Sequence, residues 1–156
     1  PPAATHRGKH IPIDVGLRDL EEVTDETVTN QSQYYVATRA TSGGGQGDHT
    51  NQIGKVSYCI RANARGRIQF HYRLPRRLTV RECARLQTFP DEFVFPFATQ
   101  RNLTLIGNAV PPVLGYHVST SIQNYLSAIG LDDGTRQSGA VSDTPFRDSR
   151  SQLALF

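Results

Sequence analysis

The chain has 156 residues, 17 Lys and Arg against 14 Asp and Glu, and a formal net charge of +3. Its 37% apolar and 20% charged content reads as globular rather than disordered. No run approaches the roughly 18 apolar residues of a membrane span, the opening PPAATHRGKH has no apolar signal core, and two cysteines in separate segments make neither a disulfide framework nor a metal quartet.

Both cysteines are therefore expected to be reduced, inside a cell. The chain begins with Pro1 and contains no Met; removal of an initiator Met and excision from a longer protein both remain open.

Residues 1–29 read as an irregular lead-in. It is acidic from Asp14 to Glu26, with Asp14, Asp19, Glu21, Glu22, Asp25 and Glu26 against Arg18 alone. A weak helix or turn is expected near Val15–Val23. Tyr34–Thr38 is a β-prone run. Ala40–Gly54, ATSGGGQGDHTNQIG, reads as a long loop rich in glycine and polar residues, of a length that is usually functional. Strands are expected at Val56–Ala62 and Arg67–His71, joined as a hairpin through Asn63-Ala64-Arg65-Gly66. Eight arginines and no lysine lie between Arg61 and Arg85, with Glu82 the one acid among them. A planar guanidinium fork suits phosphates and base edges, so this stretch marks either a nucleic-acid face or a solvated surface with carboxylate pairs.

Arg76–Phe93, RRLTVRECARLQTFPDEF, is the most specific segment. Thr79 and Glu82 have the spacing of a capping box, with Leu78 and Cys83 at the two staple positions. The helix they open must end before Pro90. Phe89, Phe93, Phe95 and Phe97 then need a surface to dock on. Leu103–Ile106 reads as a short extended run, followed by a tight Gly-Asn turn. A helix opens at the prolines of GNAVPP, carries Leu114, Val118, Ile122, Tyr125, Leu126 and Ile129 at helical spacing, and closes at Gly130.

No catalytic set is visible in these residues. Cys83, at the fourth helical position beside Glu82, reads as a small core hydrophobe rather than a nucleophile. Cys59, in Tyr58-Cys59-Ile60, reads as a strand residue. The five histidines have no metal-ligand spacing. The Gly43–Gly47 run lacks the Gly-Lys-Ser/Thr ending of a phosphate loop.

Two long motifs, in order and at the right separation, do carry a resemblance. Arg76, Leu78, Thr79, Arg81, Glu82, Ala84, Arg85, Leu86, Gln87, Phe89 and Pro90, followed by Gly107-Asn108-Ala109-Val110-Pro111-Pro112, resemble the C-terminal part of a DNA (cytosine-5) methyltransferase. Ser57–Tyr72 is similar to the segment that ends the family's target-recognition region. The resemblance implies an α+β fold class. Residues 30–75 would be a target-recognition domain of short twisted strands. Residues 76–130 would be the C-terminal strand–helix portion of a Rossmann-like methyltransferase fold, incomplete on its own, and residues 131–156 a flexible tail.

Site roles follow as implications of that resemblance. Gly107, Asn108, Ala109 and Val110 would line the pocket of S-adenosyl-L-methionine. Arg76, Thr79, Arg81 and Glu82 would organise the junction between the recognition and catalytic parts. Thr38, Arg39, Thr41, Ser42, Gln46, His49, Arg65 and Arg67, with Asp48 and Asn51 beside them, would meet double-stranded DNA. The family's Pro-Cys nucleophile, its Glu-Asn-Val motif and its N-terminal glycine-rich cofactor loop have no match here. Neither cysteine follows a proline. The chain is thus expected to be a C-terminal fragment or small subunit, inactive alone and completed by a catalytic half bearing those motifs, fused or separate. A non-catalytic DNA-binding module and a degenerate fragment remain alternatives. Gln152-Leu153-Ala154-Leu155-Phe156 is also similar to the Q-L-x-L-F peptide that binds the bacterial sliding clamp, with Gln152, Leu153, Leu155 and Phe156 as the contacts. That resemblance points to a bacterial cytoplasm and nucleoid.

Overall fold

A computed structural model describes residues 8–25, 31–36, 48–62 and 69–131. Thr38, Arg39, Thr41, Ser42, Gln46, Arg65 and Arg67 lie outside the described residues, as does the tail with Gln152, Leu153, Leu155 and Phe156. Within them, helices dominate and strand content is small. The order is α1 (Ile13–Leu17), a 3-10 turn (Arg18–Leu20), β1 (His49–Thr50), β2 (Gln69–Phe70), α2 (Val80–Leu86), α3 (Thr99–Asn108) and α4 (Pro112–Ala128).

The core forms where α1 and the 3-10 turn meet α2 and the end of α3. Ile13, Leu17 and Leu20 recur at four and three residues, so one face of this short helical stretch is apolar. It buries against Val80, Cys83 and Ala84 of α2, with Ile60, Leu78, Phe95 and Ile106 completing the cluster. The lead-in is tied to the chain beyond β1 by hydrogen bonds. The Ile13 N–H donates to the Lys55 carbonyl at 2.9 Å, and the Gly54 N–H donates to Asp14 Oδ1 at 2.7 Å.

Among the described residues, the expected hairpin pairing is not found. β2 pairs in parallel with β1, His49 opposite Gln69 and Thr50 opposite Phe70. On its other side it meets Arg77 through an antiparallel bridge, with the Leu78 N–H on the Gln69 carbonyl at 3.0 Å and the His71 N–H on the Arg76 carbonyl at 2.9 Å. With both backbone edges occupied, no edge remains for Val56–Ile60, which takes no regular secondary structure. Instead the Gln69 side chain donates to the carbonyls of Tyr58 and Cys59, at 3.1 and 2.9 Å. Tyr34–Val36 is likewise no strand: the N–H groups of Tyr34 and Tyr35 turn back onto the Ser32 side chain and carbonyl. The expected loop at 40–54 yields β1 at its far end.

Leu103–Ile106 is helical rather than extended. Its mixed Leu and β-branched composition suggested a strand, but burial has a four-residue period set by Asn102 and Ile106. The GNAVPP turn therefore joins helix to helix. The start of α4 at Pro112 and its close at Gly130, with φ of 69°, follow the sequence. No residue of α4 is buried: Leu114, Val118, Ile122 and Leu126 are 50%, 41%, 55% and 38% exposed. No described helix is long and apolar enough to cross a membrane.

Candidate functional site

The two sequence motifs meet in space, and the first is built around a buried carboxylate. Thr79 caps α2: its hydroxyl accepts from the Glu82 N–H at 3.2 Å, and Glu82 Oε2 accepts from the Thr79 N–H at 2.8 Å. The same carboxylate receives both Nη groups of Arg76 at 2.8 Å each, a fork-to-fork pair. The Glu82 side chain is fully inaccessible and that of Arg76 is 8% exposed. Charge removed from water this completely persists only when paired and hydrogen-bonded on every side.

His71 closes the group. Its Nδ1 accepts the N–H groups of Arg73 and Leu74 at 3.0 and 3.1 Å, so the proton of the neutral ring belongs on Nε2. That nitrogen lies 3.6 Å from Glu82 Oε1, a long approach and no full hydrogen bond. Burial pushes the imidazole pKa down to about 4; Glu82 opposes the shift and Arg76 adds to it. The ring is neutral near pH 7.

The other arginines of α2 also turn inward. Arg81 donates to the carbonyls of Pro90 at 3.0 Å and Phe93 at 2.6 Å and to the Gln33 side chain. Arg85 pairs with Asp91 and reaches the 3-10 turn through Asp19 at 2.5 Å and α1 through the Gly16 carbonyl at 3.2 Å. Burial opposes the charge on Arg85, but its hydrogen bonds to Asp91 and Asp19 win and hold its proton more firmly than usual. Arg85 in turn lowers the Asp19 pKa by hydrogen bonding. Arg73 pairs with Glu21. The arginine-rich stretch is thus not one nucleic-acid face: Arg76, Arg81 and Arg85 are internal ties, whereas Arg61 is exposed.

The loop after α2 is held by Asn102. Its buried amide donates to the carbonyls of Phe95 and Phe97 and accepts the Phe97 N–H at 3.1 Å. Phe89, Phe93 and Phe95 pack on one another with ring centroids 4.8–5.4 Å apart, and Arg101 lies 3.9 Å from the centre of the Phe97 ring.

The second motif is bolted to the first. Gln87 Nε2 donates to the carbonyls of Ile106 and Ala109, each at 3.2 Å, and Thr88 Oγ1 accepts the Val113 N–H at 3.1 Å. On its opposite flank, Gly107 faces the backbone of Arg61 and Ala62. A Cβ there would stand 2.2 Å from the Arg61 carbonyl carbon and 2.3 Å from the Ala62 nitrogen. Of the four candidate cofactor residues, Gly107 thus lies against protein backbone and Ala109 uses its carbonyl internally, while Asn108 and Val110 are exposed. Pro111 and Pro112 have no N–H and Thr88 takes the next one, so the start of α4 is no anion cradle. What remains exposed is the polar amide of Asn108 and, two residues on, the apolar Val110.

Among the expected DNA contacts, Asp48, His49 and Asn51 are described; His49 is half-buried and its ring stacks on that of Tyr58 with centroids 4.3 Å apart. Asn51 is 2% exposed, and its amide bonds the Gln69 side chain, the Phe70 carbonyl and the Tyr58 N–H. Both cysteines are free thiols, Cys59 exposed and Cys83 buried. Burial, and then Glu82, push the Cys83 thiol far above its ordinary pKa, opposite to what a nucleophile needs. Sequence reasoning missed Gln87, Thr88 and Asn102 as structural anchors. For Gln87 and Thr88 the available signal was their place inside a motif that has to meet GNAVPP.

Comparison with known proteins gives the family that the two motifs resemble. The family model for C-5 cytosine-specific DNA methylase matches residues 5–124. A type II methyltransferase of Haemophilus parahaemolyticus is 43% identical over 68 residues, 44% of this chain and 18% of that protein. DNA (cytosine-5)-methyltransferase 1A of Oryza sativa subsp. japonica is 40% identical over 76 residues, 49% of this chain and 4% of its own length. A type II methyltransferase of Methanothermobacter thermautotrophicus is 44% identical over 55 residues, 35% of this chain and 17% of that protein. The chain therefore spans less than a fifth of these relatives. It belongs to the C-5 cytosine-specific DNA methylase family.

Proposed function

We propose that the chain supplies the DNA target-recognition region and one wall of the S-adenosyl-L-methionine pocket of a DNA (cytosine-5) methyltransferase, with the nucleophilic cysteine on residues outside these 156. The carrying observation is the bolted pair of motifs. Glu82, Arg76 and Thr79 form a rigid buried joint, and Gln87 and Thr88 fix the Gly107–Val110 turn to it. Such a joint holds a recognition segment at a set distance from a cofactor wall.

Methylation at cytosine C5 needs a thiolate to attack C6 of a base taken out of the duplex. Neither cysteine suits that step. Cys83 is buried and its thiol is held protonated, and the Cys59 thiol turns to the Ile60 carbonyl at 3.5 Å. The uncovered apolar stripe of α4 supports the same reading, because a helix with this pattern is stable when it lies against a further layer. When bound, S-adenosyl-L-methionine supplies the methyl group. This chain's part is to present Asn108 and Val110 beside it and to place the DNA strand.

The test is complementation. Mixing the chain with a polypeptide bearing the Pro-Cys and Glu-Asn-Val motifs is expected to transfer labelled methyl groups to cytosine in duplex DNA, with none transferred by either alone. Methyl transfer by the 156-residue chain alone would overturn the assignment of the nucleophile. Failure of every mixture to methylate, with both parts folded, would overturn the reading as a whole.

A further inference from the structure

Thr88 has a backbone conformation that its side chain disfavours. Its φ is 63°, the one positive φ at a non-glycine residue among those described. β-Branched residues resist this left-handed region, where glycine is at ease. The turn itself explains the conformation. Thr88 follows the Gln87 cap of α2, its N–H donates to the Arg85 carbonyl at 2.8 Å, and the Phe89 N–H donates to the Ala84 carbonyl at 2.9 Å. That is a Schellman closure, whose left-handed position is usually glycine. The turn geometry therefore requires φ > 0 but does not require threonine.

What glycine lacks is the hydroxyl. α4 begins at Pro111-Pro112, which offer neither a capping side chain nor an N–H. The first amide of the helix is that of Val113, and Thr88 Oγ1 accepts it at 3.1 Å across 25 residues of sequence. One residue earlier, Gln87 holds the carbonyls of Ile106 and Ala109. The dipeptide thus grips both ends of the candidate cofactor turn.

We propose that Thr88 is a positioning residue: its hydroxyl sets the Gly107–Val113 turn against α2, and through that turn the placing of Asn108 and Val110 toward S-adenosyl-L-methionine. This rests on the reading of the turn as a cofactor wall. Thr88 touches no substrate and acts through α4.

Three variants of the full chain separate the elements of the argument. Thr88→Ser keeps the hydroxyl, Thr88→Val keeps the branched shape without it, and Thr88→Gly relaxes the backbone without it. Amide exchange at Val113 is expected to quicken roughly fivefold in the Val and Gly variants, the loss of one helix cap, and to stay near the parent rate in Ser. In the complemented enzyme, the KM for S-adenosyl-L-methionine should rise severalfold in Val and Gly, with kcat and the KM for DNA little changed, and Ser should restore it. Unchanged exchange at Val113 in Val and Gly overturns the capping role. Faster exchange with an unmoved cofactor KM overturns the positioning role and leaves only a structural cap. If the parent assembly itself never methylates, it is the cofactor-wall reading that fails, and the exchange rates still decide whether Thr88 holds α4.

Discussion

Replacing Glu82 with Gln tests the joint at its centre. The substitution keeps volume and shape but removes the charge. Glu82 now accepts two bonds from Arg76 and one from the Thr79 N–H, all at 2.8 Å, with His71 Nε2 a further 3.6 Å away. A carboxylate has two acceptor oxygens for these donors; an amide has one, and its NH2 faces donors. At least one Arg76 Nη loses its acceptor, and the guanidinium is left charged and 8% exposed. Breaking a buried ion pair by removing one partner costs about 3–5 kcal/mol. With urea slopes of about 1–3 kcal/mol/M, the midpoint followed by far-UV circular dichroism should fall by about 1–5 M. Arg76→Met in the same background removes the stranded charge, so the double variant should be at least ~1 kcal/mol more stable than the sum of the single losses predicts. A loss below ~1 kcal/mol for Glu82→Gln, or strict additivity in the cycle, would refute the buried pair as the fastening of the joint.

Four further outcomes are expected. His71 binds its proton near pH 4 when folded and near its ordinary 6.5 when unfolded. The unfolded chain therefore binds more protons in between, so His71 leaves stability intact above about 6.5 and withdraws up to ~3 kcal/mol as pH falls to 4. His71→Asn, which keeps an acceptor for the Arg73 and Leu74 amides, should flatten that slope in pH-dependent urea melts; the contribution of Asp19, whose pKa is lowered by Arg85, fades below its ordinary 3.8. Gly107→Ala should lose about 1–3 kcal/mol in the same melts, because the new methyl collides with the Arg61–Ala62 backbone rather than a movable side chain. A thiol reagent should label one cysteine, Cys59, in the folded chain and both in urea, and Cys83→Ala should leave methylation by the complemented enzyme intact. Val118→Asp and Ile122→Asp should change stability of the chain alone by less than ~1 kcal/mol, since both sites are already exposed, yet abolish complementation measured by methyl transfer.

What the sequence disclosed was local. The capping box of Thr79 and Glu82 involves four consecutive residues, and the limits of α4 follow from Pro112 and Gly130, so no distant partner was needed to read them. The strand pairing was misread for the opposite reason, although β2 does fall within the strand expected at Arg67–His71. The partners of β2 come from 49–51 and from 76–78, and the Gln69 side chain takes the carbonyls that a hairpin would have used. Leu103–Ile106 misled because a buried helix face and a buried strand share the same residues, and only the tie between Asn102 and the Phe95–Phe97 loop distinguishes them. The arginine stretch showed its sign but not its direction, since the carboxylates that draw it inward, Asp19, Glu21 and Asp91, lie outside it. The strain at Thr88 had no sequence signal, because threonine is not a residue that announces a left-handed turn.

The described residues divide into a finished face and an unfinished one. Around α2 every arginine discussed has a carboxylate or carbonyl partner, and the core beside it is closed. Along α4 the apolar side chains of Leu114, Val118, Ile122, Tyr125, Leu126 and Ile129 remain 38–64% exposed. Covering them would contribute on the order of 5 kcal/mol at 1.5–3 kcal/mol for each fully buried side chain. That is comparable with the whole net stability of an ordinary domain. The two faces share one fastening, because Gln87 and Thr88 leave α2 and grip the turn from which α4 departs. Docking of α4 on a further layer therefore feeds stability back through that grip into the joint. A loosened joint, conversely, would misplace the helix on which the proposed assembly depends. Recognition, cofactor wall and assembly are for this reason expected to fail together when the Glu82 cluster is cut, and separately when only the outer face of α4 is changed.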